Sequence, residues 1–175
     1  MKDEYIELES QVKPLREIES MSLYLMSYEG AHEIDAPIDE VWRATTRLDE
    51  LESWFAWLKH LRISDETLRT GTRFEFVAVS PLPYKMSVSA VATEVTEHEL
   101  IQADIFGDLV GLASLRLEET DTGTIVTLKW DVELMQTAMR LAARVSKPLL
   151  RWGQDWAVKI AVAGARRHLE SRSER

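Results

Sequence analysis

The chain has 175 residues, 45% of them hydrophobic, and carries 21 basic against 30 acidic side chains for a formal net charge of −9. That length suits one domain able to bury roughly 70% of its unfolded surface, while the acidic balance argues against a grip on nucleic-acid backbone or on an anionic membrane. The absence of cysteine excludes disulfides, thiolate metal sites and cysteine nucleophiles together.

Residues 1–20 are charged and contain Pro14; they read as an extension to a domain spanning residues 21–175. The opening MKDEYIELES is too acidic and broken for a signal peptide. The apolar-rich stretch Trp156 to Ala165 is too short to span a bilayer. The chain therefore reads as soluble and cytoplasmic, with no stable membrane insertion.

From Met26 to Ile34 the residues alternate. Met26, Tyr28, Gly30, His32 and Ile34 share one parity, and Ser27, Glu29, Ala31 and Glu33 the other. Period two with an acidic outer row predicts a half-buried strand. Pro37 stops it and suits the approach to a helix. Two short helices follow: one from about Asp39 with Val41 and Trp42 inward, and one from Asp49, a suitable N-cap, through Leu51, Trp54, Phe55 and Leu58.

Strands then dominate. Leu61 to Ile63 starts a short one, and Arg73 to Val79 alternates with Phe74, Phe76 and Ala78 on one side. Pro81 and Pro83 mark a loop. In Met86 to Val95 the residues Met86, Val88 and Ala90 are in phase and Val91 and Val95 are not, which predicts a β-bulge. Leu100 to Phe106, Leu109 to Glu119 and Thr124 to Leu134 complete the set, with Asp121-Thr122-Gly123 as a hairpin turn. In the last strand Val126, Leu128, Trp130 and Val132 face one way.

Gln136 to Val145 reads as a short helix, and Ser146 can cap a longer one running to the end. At about 100° per residue, Leu149, Leu150, Trp152, Gly153, Trp156, Ala157, Ile160, Ala161, Ala163 and Gly164 fall within an apolar arc. Arg151, Asp155, Lys159 and Arg166 form a charged strip, and Val158 and Val162 are misfits outside the arc. Gly153 and Gly164 thin the middle of that arc. This order predicts an α+β fold: a curved seven-stranded antiparallel sheet wrapped around a long C-terminal helix, with two short helices after the first strand. One helix cannot fill such a concave face, so residual space is a candidate ligand cavity.

The segment Glu33-Ile34-Asp35-Ala36-Pro37-Ile38-Asp39-Glu40-Val41-Trp42 resembles the opening of the START-like, or SRPBCC, superfamily. Leu150-Arg151-Trp152-Gly153-Gln154-Asp155-Trp156, with Gly164 and Leu169 after it, is similar to the close of its bacterial polyketide cyclase/dehydrase and lipid-transport branch. The resemblance covers about residues 23–171. It implies a helix-grip fold with a hydrophobic tunnel. Members of the superfamily bind lipids, sterols, quinones, polyketides or plant hormones, and some cyclise polyketides. One activity does not follow from the fold.

No cofactor or metal is indicated. The histidines His32, His60, His98 and His168 are scattered, and there is no dinucleotide loop, P-loop or nucleophile elbow. His32 is either a core imidazole bonded to a neighbour or a pocket group that orients a ligand hydroxyl or acts as a base. Tyr28 on the same face is either packing or a phenol presented to a ligand. Trp54 and Trp57 are expected beside the tunnel mouth, and Trp130, Trp152 and Trp156 across the helix–sheet gap. Phe74, Phe76, Met86 and Val88 complete the candidate wall, with Gln154 a candidate hydrogen-bonding group. Arg140, Arg144 and Arg151 are either scattered surface charge or a basic patch near the mouth.

Three functions fit. The first is binding or carriage of a hydrophobic small molecule. The second is a polyketide cyclase or dehydrase using His32 and Tyr28. The third is an accessory module that docks a partner or forms a homodimer through residues 1–20 or the Val158 and Val162 side.

Overall fold

The computed structural model describes residues 24–48, 50–79, 85–135, 140 and 147–173. The extension 1–20, the Asp49 cap, the Pro81–Pro83 loop, the Ser146 cap and the helix expected over 136–145, apart from Arg140, lie outside the described residues.

Strand β1 (Leu25–Ile34) exposes Ser27, Glu29, Ala31 and Glu33 and turns the other parity inward. Pro37 occupies the N-cap position of α1 (Ile38–Thr46) with φ −59°, and Val41 and Ala44 are buried. Asp39 and Glu40 in its first turn suit the positive end of the helix dipole. Helix α2 is only Leu51–Trp54, with Glu50 at its N-cap position. Leu58, expected at the end of that helix, instead opens β2 (Leu58–Ile63). It does so because Leu58 and Lys59 pair with Ala78 and Val77, and the ladder resumes at Arg62 after an irregularity. His60, with φ 57°, lies within that irregularity.

The remaining strands are β3 (Arg73–Val79), β4 (Lys85–Thr96), β5 (Leu100–Gly107), β6 (Leu109–Thr120) and β7 (Gly123–Leu134). All pair antiparallel in the order β1-β7-β6-β5-β4-β3-β2. The expected bulge in β4 falls between Ala92 and Glu94. It brings Val95 opposite Ile101, and so back into phase with the inner face. Val91 precedes the bulge, pairs with Asp104 on the outer face, and is still buried. The β6–β7 hairpin turns on Asp121-Thr122, with Gly123 first in β7. A Cβ on Gly123 would collide with the carbonyl oxygen of Ile34, so this glycine lets the end of β1 close against β7.

Helix α3 (Lys147–Ser173) packs its backbone against α1 and α2 more than against any strand. Its rotation differs from the expectation. Val158, Ala161, Gly164 and Leu169 are buried, whereas Trp152 is 49% exposed and Ala163 is exposed. The inward stripe is thus rotated by roughly a third of a turn from the arc read off the sequence. The charged strip Asp155, Lys159 and Arg166 does face solvent, but it permits a range of rotations. Contact with Ile34, Val41, Leu117 and Val126 selects the one that buries Leu169 and packs Val162. Val158 is therefore buried, and Val162 packs against the core on that side of the helix. Among the described residues no helix is long and apolar enough to cross a membrane.

Candidate functional site

Between α3 and the concave face lies a cavity of about 290 Å³. Alanines create it: Ala44 on α1, Ala103 on β5, Ala113 on β6, and Ala157, Ala161 and Ala165 on α3 all line it. Ala103 and Ala113 are cross-strand partners in the middle of the sheet, where larger β-branched or aromatic side chains usually fill the space. Larger apolar groups finish the wall, among them Ile101, Leu115, Leu128, Val158 and Val162. Polar atoms are few. Thr45 lines the cavity, but its hydroxyl donates to the carbonyl of Trp42 at 2.9 Å. Trp57 also lines it, and its indole Nε1–H is buried with no acceptor among the described residues. An unsatisfied buried donor costs about 1–3 kcal/mol.

At one side of the cavity stands His32. Tyr28 and His32 share the inner face of β1, two residues either side of Gly30, and Tyr28 Oη lies 2.9 Å from His32 Nε2. A Cβ on Gly30 would collide with that hydroxyl, so the glycine gives the phenol its path across the strand. Tyr28 is also the direct cross-strand partner of Trp130, and the rings stack at 4.5 Å with 22° between planes. Burial, with the nearby Arg166 charge second, holds the His32 pKa below the ordinary histidine value. The imidazole is thus neutral at pH 7. Burial, with Asp155 second, pushes the Tyr28 phenol up, so it keeps its proton. With Nδ1 protonated, the phenol donates to Nε2; with Nε2 protonated, the imidazole donates to the phenol oxygen.

Of the side chains expected at the site, His32, Trp57 and Trp130 line the cavity, and Tyr28 is held behind His32. Phe74, Phe76, Met86 and Val88 do not line it. They pack around Ala78 and Ala90, with Trp57 and Trp130 against the same cluster, and so back the wall. Trp156 is half-buried away from the lining, and Trp152 points to solvent because of the rotation of α3. The side chains of Trp54 and Gln154 lie outside the described residues. Arg140 donates to the carbonyl of Leu134, pairs with Glu133 at 3.0 Å and lies over the Tyr24 ring, and the side chains of Arg144 and Arg151 lie outside the described residues. Among the described residues no group of three metal-binding side chains converges. The lining alanines are absent from the set that sequence reasoning selects. Their signal is present nonetheless, since Ala103 sits at inward parity between Ile101 and Ile105, and Ala113 between Gly111 and Leu115.

The family model described as polyketide cyclase / dehydrase and lipid transport matches residues 26–170. No curated protein matches the sequence. Among solved structures, the Zhui aromatase/cyclase from Streptomyces sp. R1128 superposes with a TM-score of 0.69 at 12% identity, over 86% of this chain and 96% of that one. The protein TTHA0849 from Thermus thermophilus gives 0.68 at 18% identity, over 85% and 99%. A protein of unknown function from Staphylococcus aureus gives 0.65 at 13% identity, over 86% and 97%. At such identities the likeness is one of fold.

Proposed function

This chain belongs to the polyketide cyclase/dehydrase and lipid-transport family of the START-like superfamily, and from that premise we propose that it binds a hydrophobic small molecule in the alanine-lined cavity. The carrying observation is the cavity itself. It lies inside the grip of helix and sheet, it is apolar nearly throughout, and its size is close to the lower end of ligand pockets. Packed interiors contain few voids larger than a water molecule. About 290 Å³ is space for about ten water-sized groups, which costs stability unless something uses it. Denaturing extraction of purified protein, followed by mass spectrometry, is expected to release a lipid-like or aromatic compound. A panel of such compounds is expected to raise the melting temperature. If no compound in a broad panel shifts the melt, the proposal fails.

The Tyr28–His32 pair favours a second reading. A neutral imidazole at the edge of a dry cavity, bonded to a protonated phenol, is suited to relaying a proton during ring closure of a polyketide-like chain. His32→Ala is then expected to reduce turnover of such a substrate by about 100-fold or more while leaving apolar ligand binding in place. Unchanged turnover in that variant would exclude the pair from catalysis.

A further inference from the structure

Beside the cavity lies a second, outer depression of about 410 Å³ at the seam between β1 and α3. His32, Val158 and Val162 line both spaces, so the imidazole stands where the apolar interior meets the outer groove. The rest of that groove is made by one face of α3, and three of its residues are basic: Lys159, Arg166 and Arg167, with Ala163 between them. All three cations are exposed, and among the described residues no carboxylate lines the groove. In a chain of net charge −9, such a cluster is a local reversal of sign. Arg166 donates a hydrogen bond to the carbonyl of Glu33 at 2.9 Å, which pins α3 to β1. Among the described residues neither Lys159 nor Arg167 pairs with a carboxylate. The Glu33 carboxylate accepts from the Thr122 hydroxyl, and Asp155 is one turn away from Lys159 and outside the groove.

We propose that the ligand is an amphipathic anion, with an apolar body of about ten carbon atoms in the cavity and a carboxylate or phosphate head at the seam, held by Lys159, Arg166 and Arg167. This rests on the cavity being a binding site. The chemistry is that of a charged head left in water beside an apolar slot. Arginine and lysine supply several N–H donors to anionic oxygens, and the groove stays solvated, so the anion need not be dehydrated fully. His32 at the junction offers a further hydrogen bond to the head or to the first atoms below it. Neutral and cationic amphiphiles of the same length lack the complement to these charges.

The test is isothermal titration calorimetry on the full chain with decanoate, decyl phosphate, 1-decanol and decyltrimethylammonium, each below its micellar concentration. At low salt both anions are expected to bind about tenfold tighter than decanol and the cation more weakly than decanol. Raising the salt to about 1 M should erase most of the difference, because exposed charges are screened over a few ångströms there. The double variant Lys159→Gln, Arg167→Gln, which leaves Arg166 in place, is expected to remove most of the anions' advantage over decanol while decanol itself is unaffected. Equal binding of anions and decanol by the natural chain, or a preference that salt does not change, overturns the head-group site and leaves the cavity reading standing. No binding of any of the four overturns both.

Discussion

Ala161→Leu should make the protein more stable by about 1–2 kcal/mol and at the same time prevent it from binding apolar ligands. Ala161 is 7% exposed and lines the cavity from α3. In a filled core, three added carbons would overpack and cost about 1–3 kcal/mol. Here they enter open volume, and each methylene removed from water contributes about 0.8 kcal/mol before entropy is deducted. Leucine and alanine are both strong helix formers, so the backbone term is small. The new side chain would occupy about a third of the space, on the footing of about 30 Å³ per water-sized group. The sign of the stability change, read by urea denaturation, separates a binding cavity from a packed interior. Stabilisation coupled to loss of function is the usual mark of a site held open for a ligand.

Gly30→Ala is expected to destabilise by about 1–3 kcal/mol, against the ordinary trend. Within a strand, alanine normally improves on glycine by roughly 0.5–1 kcal/mol because it has less backbone freedom to lose. At this position the new methyl collides with the Tyr28 hydroxyl and ring. The ring cannot move aside without giving up the bond to His32 and the stack on Trp130. The stack contributes about 0.5–1.5 kcal/mol beyond its buried area, and the hydrogen bond about 1 kcal/mol. Together these exceed the backbone gain. Tyr28→Phe, which loses the hydrogen bond but keeps the stack, should fall between Gly30→Ala and the natural chain in denaturant unfolding. A Gly30→Ala protein as stable as the natural chain would show that the phenol's path across β1 is unimportant.

Much of the fold is legible in the sequence, for identifiable reasons. Strands β1, β3 and β7 carry the alternation that a strand buried on one face shows. That parity alone puts Tyr28 and His32 on one face with Gly30 between them. The β4 bulge is visible in the phase slip to Val95. Two features are not legible. Leu58 satisfies helical spacing from Leu51 and Trp54, so only the pairing with Ala78 assigns it to β2. The rotation of α3 escapes the helical arc because alanine and glycine give little contrast around a helix, and two tryptophans then dominate it. Tertiary contact of Leu169 and Val162 with α1 and the sheet decides the matter, and no local pattern encodes it.

The same bias shapes the expected lining. Size and apolarity point to the large aromatics as the wall, yet Phe74 and Phe76 are packing partners and the volume comes from what is missing at the alanines. A cavity is recorded in a sequence as small residues at inward positions on facing elements. Here they are spread over α1, β5, β6 and α3, far apart along the chain, and meet only through the strand order.

The most direct test of the central claim is a pair of thermal melts, natural chain and Ala161→Leu, each with and without 1-decanol. The natural chain should gain melting temperature with decanol, approaching the equivalent of about 2.7 kcal/mol at a hundredfold excess over Kd. The variant should start higher and gain nothing. Equal gains in both chains, or a variant that starts lower, would place the ligand elsewhere and contradict a functional cavity between α3 and the sheet.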